Sequence, residues 1–174
     1  MSAASALHEM TPLLGDLLNI DFGYPLGENI IRSAEGRKYS ISELGTSCAK
    51  WLVPLYSVCD GLSFPDVHVG YFIKPLERVL SFDRSSEPDR VILDREIAVV
   101  PIGSTGGGAL FVVDCEHGSV LLLPPGPLHD GRYDGTRAMI KVVAESVPRF
   151  LEALLDDVRA FVKNKIAHAY ISDA

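Results

Sequence analysis

Apolar residues at spacings of three and four predict a helix near the start of the chain. The stretch contains Pro12, which either bends the helix or marks its true start, because proline lacks an amide hydrogen and clashes with the preceding turn. The apolar positions are Leu7, Met10, Leu14, Leu17 and Leu18.

The same periodicity predicts a long helix near the end of the chain, from about Val143 onward. Ser146 can cap this helix, and Pro148 suits its first turn, where a missing amide hydrogen costs nothing. The repeating apolar positions are Val147, Leu151, Leu154, Val158 and Phe161.

A third helical pattern runs from Ser42, a candidate cap, to Val58, and Gly61 would end it. Pro54 does not fit a helix interior, so two short helices meeting near Val53 are expected. A further short helix is predicted in KPLERVLSF, with Pro75 in its first turn.

Between these helices the pattern changes to that of strands. Val67, Val69, Tyr71 and Ile73 alternate with other residues at the period of two that strands show. The segments EIAVVPIG, GALFVVD and SVLLL are strands by their β-branched content, and CEHG is short enough for a hairpin turn. By contrast, PPGPLHDGRYDGTR is predicted to be a surface loop, because proline, glycine and aspartate favour turns.

The order of elements predicts an α+β fold: a mostly antiparallel sheet with helices packed on one face and a long C-terminal helix. No regular alternation of strand and helix requires a parallel sheet. We expect residues 1–174 to form a single domain, in which 20–40 are irregular or a hairpin.

Three consecutive glycines, Gly106 to Gly108, raise the question of a phosphate-binding loop. Such a loop leads into a helix and usually carries a lysine followed by serine or threonine. Here the glycines lead into the strand ALFVVD, and there is no lysine. The pattern therefore predicts a tight bend between two strands, and it gives no reason to expect a cofactor.

Charge and hydropathy restrict the partners. The formal net charge of −7 disfavours nucleic acid and anionic membranes as partners and favours a cationic one. No apolar stretch approaches the roughly 20 residues of a membrane-spanning helix, and MSAASALHEM does not resemble a secretion signal. We therefore expect a cytoplasmic protein, with Cys48, Cys59 and Cys115 as small buried side chains; a disulfide is the less favoured alternative.

Candidate catalytic and metal-binding residues are few. The five histidines lie far apart in the sequence, and Cys115 with His117 is the nearest approach to a metal-ligand pair; without a second pair no metal site is expected. A hydrolase would need Ser104 or Ser119 as nucleophile, His117 or His129 as base and Asp114 to orient it. The structural alternative is that Asp114 ends a strand and accepts hydrogen bonds from amides of the following turn. We favour that alternative and do not expect an enzyme.

Four segments in order, LYSVCDGLSF, GYFIKPLERVLSF, VPIGSTGGGALFVVDCEHGSVLLLPPG and VAESVPRFLEALLDDVRAFV, resemble the landmarks of the SUKH superfamily. This family includes fungal cell-wall regulators, the SecY-interacting protein Syd and many bacterial toxin-immunity proteins. The resemblance covers about residues 40–163 and leaves 1–39 as a helical extension. The matching scaffold positions are Gly61, Gly70, Tyr71, Gly103, Gly107, Gly108, Asp114, Gly118 and Val120.

The resemblance implies an α+β fold and a non-enzymatic, protein-binding role. The leading hypothesis is an immunity protein that binds a toxin, commonly a nuclease, whose basic surface would complement an acidic one. The alternatives are a regulatory or scaffold protein of the same fold and a small hydrolase using Asp114 and His117. The residues expected to bind the partner are Asp66, Asp83, Glu87, Asp89, Asp130, Arg132, Tyr133 and Asp134.

Overall fold

A computed structural model of the protein describes residues 1–44, 48–81, 83–136, 139–164 and 167–173. Its helices surround one face of a large sheet. One 3-10 turn, Ile41–Leu44, precedes the second helix. The α-helices are α1 (Ala3–Leu17), α2 (Ala49–Tyr56), α3 (Leu76–Leu80) and α4 (Val147–Val162).

The sheet has ten strands among the described residues, and one path through it runs in the order β1-β2-β3-β5-β4-β9-β8. Strand β6 pairs with β5 and β7, and β10 pairs with β7. Every pairing is antiparallel except that between β4 and β9. The predicted α+β class, with a mostly antiparallel sheet, is therefore confirmed. The strands are β1 (Ile30–Ser33), β2 (Cys59–Phe64), β3 (Tyr71–Ile73), β4 (Arg90–Ile92), β5 (Glu96–Thr105), β6 (Leu110–Asp114), β7 (Val120–Leu123), β8 (Leu128–His129), β9 (Arg132–Asp134) and β10 (Lys141–Ala144).

The two terminal helices agree with the periodicity, with corrections at their ends. Helix α1 begins at Ala3, so Pro12 lies inside it and does not mark its start. Leu18, expected on the apolar face, lies just beyond the helix and is 72% exposed. Ser146 caps α4 by accepting a hydrogen bond from the amide of Arg149, as predicted. Residues 141–144, however, form β10 and not the start of that helix.

The middle of the chain differs more from expectation. Pro54 lies within α2, so the expected break near Val53 is wrong. The helical pattern also ends early: residues from Cys59 form β2, and Gly61 lies inside this strand at a φ of 87°. An added Cβ at Gly61 would lie 2.5 Å from the carbonyl oxygen of Ile73 on the adjacent strand. The close approach of β2 and β3 therefore explains this glycine.

Two other strand predictions need correction. The alternating stretch that starts at Val67 forms a strand only from Tyr71, and the residues before it are a turn. The stretch 124–137, predicted to be a surface loop, contains the short strands β8 and β9. Local composition suggested turns here, but pairing with β4 stabilises β9 as a strand.

The sheet separates two apolar cores. The larger core packs all four helices against side chains such as Ile102, Phe111 and Leu122. The smaller core on the other face contains no helical residue; it joins Val112, Leu121 and Leu123 to residues of β4, β5 and β9. Burial on both faces explains why the β6 and β7 sequences are almost continuously apolar.

A disulfide joins Cys48, at the start of α2, to Cys115, just after β6. This corrects the prediction that all three cysteines are unpaired. Cys59 alone agrees with it, as a buried free thiol. The indole of Trp51 donates a hydrogen bond of 3.0 Å to the carbonyl oxygen of Cys115. The disulfide and this hydrogen bond therefore fix α2 against the turn between β6 and β7.

The three glycines that resembled a phosphate loop connect β5 to β6, which pair antiparallel. The amide of Gly108, at a φ of 84°, donates a hydrogen bond to the carbonyl oxygen of Thr105. The predicted tight bend between strands is therefore confirmed.

Gly103 offers a test of how closely β3 and β5 approach. A Cβ at this position would lie 2.2 Å from the carbonyl oxygen of Phe72. We expect Gly103→Ala to lower the free energy of unfolding by about 2 kcal/mol, because the two strands must separate to admit the methyl group. Gly107→Ala is the matched control, since its Cβ would meet only Thr105 Oγ1 at 3.7 Å. Urea denaturation measures both; equal stability of the two variants would contradict this packing.

Within the described part of the chain, no helix is both long and apolar enough to cross a membrane.

Candidate partner-binding surface

Two of the segments predicted to bind a partner meet at one corner of the sheet. The β8–β9 hairpin and the loop before β4 are joined by backbone hydrogen bonds through Gly131. Its amide donates to the carbonyl oxygen of Arg84 at 3.0 Å, and its carbonyl oxygen accepts from the amides of Asp89 and Arg90. Parallel pairing of β4 with β9 continues this contact. We call residues 83–96 and 128–136 the acidic corner.

Tyr133 packs beneath this corner and is buried, whereas a residue that anchors a partner would be exposed to solvent. It is 3% exposed and packs in the smaller core. Its hydroxyl donates a 2.7 Å hydrogen bond to the carbonyl oxygen of Pro124, and burial raises the pKa of the phenol. The prediction that Tyr133 is available to a partner is therefore wrong, because residue alternation in β9 turns its ring inward.

Three carboxylates of the acidic corner form ion pairs within the molecule. Seven carboxylates against four arginines give the corner a net charge of −3. Asp89 pairs with Arg84 at 2.6 Å, Glu87 with Lys74, and Arg132 with Glu96 at 3.4 Å. These pairs fix the side chains in place, but each contributes little to stability when exposed to solvent.

Five acidic residues of this corner are exposed, namely Asp83, Asp94, Glu96, Asp130 and Asp134, and no described cation pairs with Asp83 or Asp130. Asp83 accepts hydrogen bonds from the hydroxyl and amide of Ser85, which lower the pKa of its carboxyl group. Asp130 lies at the hairpin tip, at a φ of 49°. Asp134, which is also exposed, accepts from the amide and hydroxyl of Thr136.

Asp66 does not belong to this surface. Asp66 lies in the turn between β2 and β3 and is only 5% exposed. One carboxylate oxygen accepts hydrogen bonds from the amide of Gly27 at 2.9 Å and the side-chain amide of Asn29 at 2.6 Å. The prediction that Asp66 binds a partner is corrected: it ties the segment before β1 to the sheet.

Asp114 acts as the structural alternative predicted. Its carboxylate accepts hydrogen bonds from the amides of Glu116 and His117, the two residues that follow Cys115 in the turn. His117 Nδ1 lies 2.9 Å from the other carboxylate oxygen, and His117 Nε2 lies 3.7 Å from Glu116. Both ring nitrogens therefore lie near carboxylates, and among the described contacts neither pairs with a serine hydroxyl.

A buried polar cluster escaped the sequence analysis. Asp157 on α4 is 1% exposed and accepts hydrogen bonds from the Tyr71 hydroxyl at 2.7 Å and the amide of Ile171 at 3.1 Å. His168 Nε2 lies 2.7 Å from its other oxygen. Burial, above all, raises the pKa of Tyr71. The position of Asp157 on the apolar face of the predicted helix could have indicated this cluster, because a buried acid needs hydrogen-bond partners.

The other scaffold positions have structural roles. Gly118, at a φ of 80°, lies against the indole of Trp51, where a Cβ would approach to 2.5 Å. Gly70 also has a positive φ, and Val120 is buried. Gly107, in contrast, is exposed. These positions shape the scaffold and supply no reactive group.

Among the described residues, no group of three or more histidine, cysteine, aspartate or glutamate side chains could hold a metal ion. In comparisons with protein-family models, with curated proteins and with solved structures, nothing matches this chain.

Proposed function

We propose that the protein is a non-enzymatic, protein-binding domain of the SUKH type, and that it neutralises a toxin by binding it directly. The observation that carries the proposal is the acidic corner, where two acidic segments distant in sequence are joined by the backbone contacts of Gly131. A nuclease toxin has a basic surface that binds phosphate, so it offers the complementary charge. The residues proposed to face it are Asp83, Glu87, Asp89, Asp130, Arg132 and Asp134.

The proposed site of action is the cytoplasm, where such a toxin would act. A disulfide is rare in that compartment. The redox state of Cys48 and Cys115 in cells is therefore part of the test, and thiol labelling before lysis measures it.

The first experiment is purification of the tagged full chain from its native cells at low and at moderate salt, with mass-spectrometric identification of retained proteins. The proposal expects one basic protein in near-equal amount, retained at both salt concentrations but bound more slowly at the higher one. Recovery of a cellular regulatory complex would overturn the toxin-binding role and support a regulatory or scaffold protein of the same fold. A chain that retains no protein would overturn the binding role.

Charge reversal at the acidic corner tests which surface is used. We expect Asp130→Lys to reduce the association rate with that basic partner by about threefold to tenfold at low salt, because opposite charges accelerate encounter. Glu35→Lys, after β1, changes the net charge equally and is exposed, so it serves as the control. Stopped-flow or surface-based kinetics give the rates. Equal slowing by both variants would show a general charge effect and remove the corner from the proposal.

A further inference from the structure

A second surface feature is a groove of about 440 Å³ where the N-terminal and C-terminal segments meet. Two stacked ring pairs line it. Phe22 stacks on Phe161 with ring centroids 6.1 Å apart, and His68 stacks on Tyr170 with centroids 3.9 Å apart. Ile20, Val162 and Asn164 also line it.

Helices α1 and α4 run in the same direction and end beside this groove. The amino group of Met1 contacts Glu152, and Glu9 farther along α1 contacts Arg159 farther along α4. Their last residues are Leu17 and Val162, and the latter lines the groove. The carboxyl end of a helix carries a partial negative charge, so two such ends favour a cation nearby.

The chemistry of the lining points the same way. Among the described residues that line the groove there is no lysine or arginine, and ring faces attract cations. Asp173 lies at the edge, with its carboxylate 2.9 Å from His68 Nε2. Partial burial by itself would raise the pKa of Asp173, but the Tyr170 amide, His68 and Lys141 more than offset this, and the pKa lies below its ordinary value. Among the described residues, Lys163 is exposed and adjoins the lining in sequence, and Lys141 Nζ donates a hydrogen bond of 2.9 Å to the backbone carbonyl oxygen of Asp173.

Two residues of the lining have a left-handed backbone although neither is glycine: His68 at a φ of 54° and Asn164 at 51°. Such conformations cost energy and persist where the surroundings hold them. Both residues line the groove, His68 as a member of one stacked ring pair. A planar group entering the groove would thus meet ring faces and polar edges together.

We propose that this groove receives an arginine side chain of the protein partner. The inference rests on the proposed function, which supplies a basic partner. Arginine fits better than lysine, because its planar guanidinium stacks on aromatic rings and is less strongly hydrated. The acidic corner would then accelerate the encounter, and the groove would supply an anchor for the bound state.

The test uses the full chain and a defined probe. N-acetyl-arginine methylamide is titrated into isotope-labelled protein, and aromatic and amide resonances are followed by NMR. We expect saturable shifts at Phe22, Tyr170 and Asn164 with a dissociation constant of about 10 mM, typical of a single anchoring side chain. The N-acetyl-norleucine and N-acetyl-glutamate methylamides should bind at least about fivefold more weakly. Equal binding of the norleucine probe, or no saturable shift, would overturn the inference.

Two variants sharpen the result. Phe22→Ala should weaken the arginine probe about fivefold by removing a ring face. Lys163 lies at the surface, so Lys163→Glu leaves the packed rings intact and should strengthen binding of the arginine probe about threefold. Lys50→Glu on α2 changes the charge equally and is the control. If Lys163→Glu has no more effect than Lys50→Glu, the groove is not the cation site.

The partner protein separates this inference from the proposed function. If a basic partner is retained but binds Phe22→Ala with unchanged affinity, the function stands and the groove is overturned as its anchor. If the arginine probe binds with the expected preference and no protein partner is retained, the site stands as a cation site and the toxin-binding function is overturned.

Discussion

Removal of the disulfide, in the double variant Cys48→Ala and Cys115→Ala, should destabilise the protein by about 4 kcal/mol. The bond closes a loop with a sequence separation of 67, and such a crosslink chiefly restricts the unfolded chain. For a domain of this size the midpoint of thermal unfolding should fall by about 8–16 °C. Urea and thermal denaturation of the oxidised protein and the variant measure the change.

Reduction of the unmodified protein is the second arm of this experiment. Dithiothreitol should lower the stability of the unmodified protein toward that of the double variant and leave the variant itself unchanged. Cys59 should not exchange with the disulfide, because burial raises the pKa of its thiol to about 11 and leaves little thiolate at neutral pH. Three reactive thiols in the denatured, non-reduced protein would contradict the bond.

Replacement of the buried acid, Asp157→Ala, should cost about 3 kcal/mol. The change removes the acceptor of the Ile171 amide and leaves the Tyr71 hydroxyl with only Ser172 Oγ, at 3.1 Å. An unpaired buried donor costs on the order of 1–3 kcal/mol. The change also removes the partner of His168. Because two of these contacts come from residues 168–171, amide hydrogen exchange in that segment should accelerate together with the loss of stability.

Two control variants separate the hydrogen bonds from the helix itself. Asp156→Ala changes the neighbouring acid, whose side chain is 65% exposed, and should alter stability by less than about 0.5 kcal/mol. Asp157→Asn keeps the shape and one acceptor oxygen, so its effect should fall between the two. If Asp157→Ala and Asp156→Ala are equally stable, the buried cluster contributes nothing.

The acidic corner shows how far local sequence can predict a site. The two acidic segments were identified from composition, and the structure joins them. Tyr133 and Asp66 were misplaced for different reasons. Tyr133 is buried because β9 pairs with β4, a strand more than 40 residues earlier in sequence. Asp66 is buried because the segment at Gly27 and Asn29 folds onto it.

The sequence alone determined the elements whose periodicity is long and regular. Helices α1 and α4 repeat their apolar residues over about four turns, and β5 to β7 are apolar segments punctuated by turn residues, so local patterns define them. The acidity and the order of elements, and with them the α+β class, follow from composition and pattern in the same way.

Only the tertiary structure decided the rest. The disulfide requires that Cys48 and Cys115 approach to 4.4 Å between Cα atoms, and no spacing in the chain encodes that distance. The short strands β4, β8 and β9 are stabilised by their pairings with one another and with β5. The Asp157 cluster depends on contacts with residues 11 to 86 positions away. The groove forms where the N-terminal and C-terminal segments meet. Such features depend on which distant segments share a surface, and that depends on the free energy of the whole packed fold.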